Sequence, residues 1–443
     1  MRKCLTIFAI LLFTATAALN AAGFDLAVDE SKLNNGLTLL IAPDTTAATV
    51  SVFTFVNAGS RDEDRVGITG LAHVFEHMMF RGTEKFPNFS AVVSPLGAEN
   101  NAWTTNDYTA YFLNAEARFL DKMLEIESDR IRNLIFTNET FRTELGPVKE
   151  ERRRGVVDDP DGFLSVELER LAYTIHTYHH PVIGWEEDLE QNMTFEDGRQ
   201  FKDRHYVPNN CILVISGNVN IDTTRSLVEK YYSDWQPGEA YTSLVVTEPA
   251  QTAERIKNFV WKDDEIPPLL RIAYHVNAAH SDFEGFAAMN LINEVLFSNS
   301  GRLTSLLKNQ LALVESIDGG ADMRKDPGLQ SVSARLRRGA NLAEVRDTIY
   351  SYLRQVSAQP ISSEELDRAR NNLRARMIYS LNSPSRIASS LGVNRVVTGS
   401  HRSLMELYDL YASVSAEKIR SVAAETFTAA NRTVVTLVPK SGI

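Results

Sequence analysis

His73, Glu76 and His77 stand in the run Gly-Leu-Ala-His-Val-Phe-Glu-His-Met-Met-Phe-Arg-Gly from Gly70 to Gly82, and their types and spacing suit metal chemistry. At about 100° per residue a helix places the three within roughly one 100° arc, with Leu71, Phe75, Met78 and Met79 on the opposite side. One face can therefore anchor in a core while the other presents two imidazoles at i and i+4 with a carboxylate between them. Two neutral imidazoles binding at about 2.0–2.1 Å suit zinc, and a third protein ligand leaves one coordination position open. A neighbouring carboxylate that stays off the metal can act as base toward a water, which gives Glu76 that role and His73 and His77 the role of ligands. The order His-x-x-Glu-His reverses the commoner His-Glu-x-x-His. With nine His and 57 acidic residues in 443, chance supplies at most about 0.02 such matches per chain.

The third ligand has to come from elsewhere. Residues Asn138 to Val157 have a helical pattern and carry Glu144, Glu150 and Glu151 ahead of Asp-Asp-Pro-Asp-Gly. Glu144 and Glu151, seven apart, return to nearly the same face, about 20° from one another, whereas Glu150 points about 100° away from Glu151. The pattern alone leaves open which of them meets a metal and which are solvated. His176, Tyr178, His179 and His180 form a second cluster, but no acid pairs with them at helical spacing and no second metal site is expected there.

Two domains of about 200 residues are expected from a chain of 443. A net charge of −11 argues against nucleic acid as a partner, and no Lys/Arg block accompanies the amphipathic stretches as binding to anionic lipid would require. Arg2 and Lys3, an apolar run from Leu5 to Leu19, and small residues from Ala17 to Gly23 have the layout of an export signal over residues 1–22. At about 15 residues the run is short for a membrane span, so a mature chain without one is expected, with a periplasmic location. Removal of the signal would leave Cys211 alone and no internal disulfide.

The elements that must position the chemistry follow in order. Leu33 to Pro43 and Thr49 to Val56 are expected to pair as antiparallel strands across a turn at Asp44 to Thr46, and Thr69 to cap the metal helix. A short helix at Ser90 to Leu96, a strand pair within Asn100 to Asn114, and helices over Glu116 to Asn133 and Ile221 to Trp235 complete a first domain, 23–236. Residues 237–258, rich in Pro, Thr and Glu and without periodicity, form the expected linker. In a second domain, 259–443, a strand at Leu269 to Asn277, helices at Phe283 to Phe297 and Arg302 to Leu311, a strand at Gln330 to Leu336 and long helices to Thr398 precede a last helix, Ala416 to Phe427, and strand, Thr433 to Pro439. Both halves end in a helix, an Asn-bearing turn and a strand, which suggests duplication, yet the second has no His-x-x-Glu-His. The fold class expected is α+β: two similar domains, each a mainly antiparallel sheet packed with helices.

With these residues in view, nearly the whole mature chain resembles the pitrilysin (M16) family of zinc peptidases, nearest its mitochondrial-processing-peptidase-like branch. The family motif places a Glu about 75 residues after His-x-x-Glu-His, and Glu151 lies 74 after His77. The resemblance implies that Glu151 is the third ligand of one zinc per chain and that Glu144, seven residues earlier, supports the site. Gly146 and Pro147 depart from the family by interrupting what is normally continuous helix. Asn101, Ala102 and Trp103 match the segment in which an edge strand accepts the substrate backbone as an added strand. In the second domain the family supplies an Arg and a Tyr that reach the substrate carbonyl; matched from Ser300-Gly301-Arg302-Leu303, those places hold Lys308 and Glu315. Lys308 lacks the Arg fork and an ionised Glu315 cannot donate, which implies that a partner chain supplies the missing donors in a heterodimer; the resemblance by itself implies a second M16-like subunit in a hetero- or homodimer. Taken together the resemblance implies a zinc endopeptidase acting on peptides or unfolded polypeptides inside a clam-like enclosed chamber. The competing expectation is a non-catalytic assembly or scaffold subunit of the same family.

Overall fold

The computed structural model describes residues 24–239 and 245–440; the expected export signal lies outside the described residues. Strands β1 (Asp29–Lys32), β2 (Thr38–Pro43), β3 (Thr49–Val56), β4 (Glu99–Thr104), β5 (Thr109–Glu116) and β6 (Cys211–Gly217) form one sheet in the order β1-β2-β6-β3-β5-β4. Strands β7 (Arg255–Val260), β8 (Leu269–Val276), β9 (Val314–Ala321), β10 (Gly328–Leu336) and β11 (Arg432–Val438) form a second, in the order β7-β11-β8-β10-β9. Each is antiparallel except for one pair, β2 with β6 and β7 with β11, so the last strand of each half enters the middle of its sheet. The duplication expected from the parallel endings is therefore present in the topology.

Helices of the first half are α1 (Leu71–Met78), α2 (Phe89–Val93), α3 (Leu120–Asn133), α4 (Asn138–Arg152), α5 (Pro160–Ala172), α6 (Phe195–His205) and α7 (Ile221–Tyr232). Those of the second are α8 (Phe283–Phe297), α9 (Leu342–Ala358), α10 (Ser363–Ser380), α11 (Pro384–Thr398), α12 (Ser403–Ser413) and α13 (Ala416–Thr426). Alternate residues of a strand face opposite sides. On β3, Val50, Val52 and Val56 meet Phe75 and Met78 of α1 and Met123 and Ile126 of α3 in one core. Phe53 and Phe55 point the other way, onto Ile387, Ala388 and Leu391 of α11, a helix of the second half. The converse holds in the second sheet, where Leu269, Ala273, Val435 and Leu437 pack on Leu164, Leu168 and Ala172 of α5. Each half thus lends a helix to the outer face of the other's sheet.

Several expectations change. Strands β2 and β3 are not a hairpin: β6 lies between them, parallel to β2 and antiparallel to β3. Both are buried almost throughout, so both are interior strands that need a neighbour on each side, and the neighbour comes from about 160 residues along the chain. The expected linker, 237–258, overlaps β7, whose Arg-Ile-Lys-Asn-Phe-Val sequence is polar because it is an exposed edge strand. Strand β9, with Asp318, Gly319 and Gly320, has a composition that conceals a strand, and α12 falls beyond the long helices foreseen. Helix α4 runs unbroken through Gly146 and Pro147. Gly146 has no Cβ to meet the proline ring, and the buried Phe141, Glu144 and Val148 hold the helix against its neighbours despite one lost backbone bond.

Gly392 of α11 marks the closest approach of the exchanged helix, since a Cβ there would lie 1.9 Å from Cε2 of Phe55. Gly155, by contrast, has nothing within 4 Å of its would-be Cβ. Gly392→Ala is expected to cost about 1–3 kcal/mol by overpacking, while Gly155→Ala is neutral or stabilising by about 0.5–1 kcal/mol. Denaturant midpoints of the two variants check this; equal midpoints would mean that α11 is not seated on the first sheet.

Candidate metal centre

Helix α1 is placed by its apolar face: Leu71, Phe75, Met78 and Met79 are fully buried. Its start is not capped by Thr69. Gly70 occupies the N-cap in the left-handed region, at φ 92°, because the backbone of Ile183 and Gly184 lies too close for a side chain. The free amides are taken instead by Glu63, whose carboxylate accepts from the Gly70 and Ala72 N–H groups, each at 2.8 Å. Thr69 turns away to donate to Asp188. Burial pushes the Glu63 carboxyl well up, against the pull of those two amides.

The opposite face of α1 meets α4. Across this contact His77 Nε2 lies 3.2 Å from Glu151 Oε2, and His73 Nε2 lies 3.7 Å from the same oxygen. All three donor atoms fall within 4.8 Å of one another, and among the described residues no other His, Cys, Asp or Glu group gathers in this way. The donor set fits a tetrahedral ion. Bonds of about 2.0–2.2 Å at tetrahedral angles separate ligand atoms by roughly 3.3–3.6 Å, the range these distances bracket. The His73 Nε2 contact with Glu151 is too long for a hydrogen bond, as expected of two atoms that would share an ion. Burial, then the neighbouring His77, pushes the His73 imidazole down to about 4, so it stays neutral and able to coordinate.

Glu144 sits two turns before Glu151 on α4, with one carboxylate oxygen 3.3 Å from His77 Nδ1 and the other paired with Arg81. The Glu144 contact raises His77 above the ordinary histidine value. Glu144 itself is held below the usual carboxylate range, the His77 and Arg81 bonds outweighing burial. Glu150 faces Arg153 and Arg154, whose bonds hold it down at about 2, and so has no part in the cluster. Of the two, Glu151 is the carboxylate that faces the imidazoles.

Glu76 is half-buried beside this cluster without joining it. Its Oε2 accepts from Thr104 Oγ1 at 2.7 Å, and burial raises its carboxyl while that bond draws it back. Thr104 ends β4, the outermost strand of the first sheet, hydrogen-bonded only to β5. Asn101, Ala102 and Trp103 lie along this open edge, though the Trp103 ring packs away from α1 against Phe53, Phe55 and Phe112. The Ala102 amide is occupied by Asn101 Oδ1 at 2.9 Å, which an added strand would displace. Lys308 lies on the helical turn Thr304–Gln310 and Glu315 on β9, both exposed.

His176 pairs with Asp326 at 3.0 Å and His180 Nδ1 lies 3.6 Å from Glu63. His176 thus has a carboxylate partner from the second half and His180 lies near one from the first. Two further residues escaped the sequence reading: Glu63, seven positions before the N-cap Gly70 whose amide it takes, and Thr104, whose partner is 28 residues away. Neither spacing is a local motif.

In the second half, α8 carries Asn290, Asn293 and Glu294 at the i, i+3, i+4 spacing of α1's triplet. Glu294 accepts from Asn372 at 3.0 Å and pairs with Arg376, so a cation of the protein itself occupies that carboxylate. Two family models match the chain in succession. Residues 38–185 match the model of the insulinase family, peptidase family M16, and residues 192–373 match the model named peptidase M16 inactive domain. The chain belongs to peptidase family M16. It is 27% identical over 446 residues to the Helicobacter pylori zinc protease PqqE, covering 99% of each. A probable mitochondrial-processing peptidase subunit beta of Schizosaccharomyces pombe is 25% identical over 417 residues, 90% of this chain and 88% of that protein. Among solved structures, a protease from Helicobacter pylori superposes with a TM-score of 0.89 at 25% identity, covering 94% of this chain and all of the other. The fold also matches the Escherichia coli periplasmic protease PqqL at a TM-score of 0.75 and 18% identity, where this chain covers 48% of that one.

Glu144→Gln is expected to weaken divalent-metal binding about 10–100-fold by loosening His77, whereas Glu150→Gln leaves it unchanged. Competition with a chelator measures both; equal affinities would deny Glu144 its orienting role.

Proposed function

We propose that this member of family M16 is a zinc-dependent endopeptidase acting on peptides or unfolded polypeptides. The observation that carries the reading is the convergence of His73, His77 and Glu151 beside a carboxylate, Glu76, that is left uncoordinated. The zinc protease relatives support the choice of metal. His73 Nε2, His77 Nε2 and Glu151 would hold one zinc ion, which supplies Lewis acidity at the scissile carbonyl. Glu76 accepts a proton from the attacking water and returns it to the leaving amine. The backbone of Asn101, Ala102 and Trp103 binds the substrate as an added strand on β4, giving affinity with little demand on side chains. Glu144 fixes the imidazole of His77 so that Nε2 faces the ion.

Lys308 and Glu315 stand where active relatives carry an Arg and a Tyr, and donors to a developing oxyanion are commonly worth about 3–4 kcal/mol. A second M16-like chain, different from this one because a copy would repeat Lys308 and Glu315, would supply them and close the chamber over the cleft. The doubled length of PqqL, of which this chain covers 48%, and the subunit status of the fission-yeast relative support a paired assembly. The metal-bearing half, 23–236, and the metal-free half, 259–443, then have separate tasks. Export to the periplasm accords with residues 1–22, and no helix among the described residues is long and apolar enough to cross a membrane. A scaffold subunit without catalysis is the second reading, favoured only by the changes at Lys308 and Glu315.

Glu76→Gln should keep its zinc and lose turnover by about 10²–10⁴-fold. Metal content and peptide cleavage, measured on the same preparation with and without a co-purified partner, check this. Retained turnover removes Glu76 from the role of base, absence of zinc in the parent favours the scaffold, and full activity of the lone chain rejects the dependence on a partner.

A further inference from the structure

We propose that Thr104 is the positioning residue for Glu76: from the end of the peptide-accepting edge strand, its hydroxyl ties one carboxylate oxygen and leaves the other for the attacking water. The inference rests on the reading of Glu76 as base. A carboxylate one residue from a ligand histidine has two competing fates, because it can swing in and coordinate or stay off the ion and accept protons. The 2.7 Å bond from Thr104 Oγ1 to Glu76 Oε2 opposes the first.

Such a tether works only if Thr104 is itself fixed, and the turn that follows has its peptide groups committed. Thr105 N–H donates to Tyr108 O at 2.9 Å, and the Thr105 and Asn106 carbonyls accept from Ser60 N–H at 3.1 Å and Arg61 N–H at 2.8 Å. Asp107 in the same turn accepts from the Tyr178 hydroxyl at 2.6 Å and from Lys325 N–H at 3.0 Å, while Lys325 Nζ donates to Asp107 O at 2.6 Å. Lys325 belongs to the β9–β10 loop, so the metal-free half braces the strand that holds the base. Substrate register along β4 and the direction of Glu76 are consequently set by one strand.

Thr104→Val removes the hydroxyl at nearly constant shape, Thr104→Ser keeps it, and Thr104→Ala serves if the valine is not tolerated. Crystal structures of the zinc-loaded proteins and steady-state kinetics of the assembled enzyme read the result. In Thr104→Val the Glu76 carboxylate is expected to leave its present place, with kcat about 10–100-fold lower, KM within about twofold and zinc content unchanged. Thr104→Ser is expected to restore both position and kcat. Glu76 unmoved in Thr104→Val, a loss confined to KM, or no rescue by serine would overturn the proposal. Should the parent cleave no peptide, the function proposed above fails, while the position of Glu76 in the variant crystals still decides the role of Thr104.

Discussion

The contact between α1 and α4 is the constraint on which the site depends. One face of α1 is drawn into the first core by Leu71, Phe75, Met78 and Met79, so the other face must look outward, and what it meets there is α4. Burial of four large apolar side chains, each worth about 1.5–3 kcal/mol, is strong enough to hold two imidazoles in a direction that their own hydrogen bonding would not select. Helix α4 answers with carboxylates two turns apart. Glu151 comes between the two Nε2 atoms and Glu144 takes the remaining nitrogen of His77, so the spacing of seven serves two different jobs on one ring. Glu63 completes the arrangement from behind by filling the amides that Gly70 leaves open.

The two halves are not independent lobes. Helix α11 covers the Phe53 and Phe55 face of the first sheet, and α5 covers the corresponding face of the second. Buried charges lock the same boundary: Arg61 meets Asp326, Arg324 meets Glu169, and Lys325 reaches Asn57 and Asp107. Buried ion pairs contribute little net stability, but breaking one leaves a charge unpaired, so they specify the arrangement more than they strengthen it. The consequence for the site is mechanical, since the turn after the edge strand is gripped from the other half of the chain.

Among the described residues, the first half alone gathers three side chains that could hold an ion, although the two sheets are built alike. Both sheets have the same strand logic, and α8 offers polar residues at the spacing of the metal helix. Where α1 has imidazoles, α8 has amides and a single acid, and Arg376 with Asn372 supplies the positive partner that the acid requires. A protein cation thus neutralises there what an ion would neutralise in the first half. The family model that matches this region, named for an inactive domain, agrees with that chemistry.

The sequence by itself determined the helix that carries His73, Glu76 and His77 and the face on which they stand, because amphipathic periodicity and the i, i+4 pairing of the two histidines are local properties of a helix. It also determined the α+β class, the open strand pair around Ala102 and the absence of the motif from the second half. It could not tell from pattern which of Glu150 and Glu151 faces the imidazoles, since that depends on where α1 sits against α4. It placed β2 beside β3, as sequence proximity suggests, whereas the burial of both strands makes room for β6. It expected Pro147 to interrupt α4, but packing of Phe141, Glu144 and Val148 outweighs the lost bond. The cap from Glu63, the tether from Thr104 and the exchanged helices were decided by the tertiary structure alone. Each joins residues distant in the chain through hydrogen bonds or buried apolar contact, and such pairings leave no periodicity in the sequence to find.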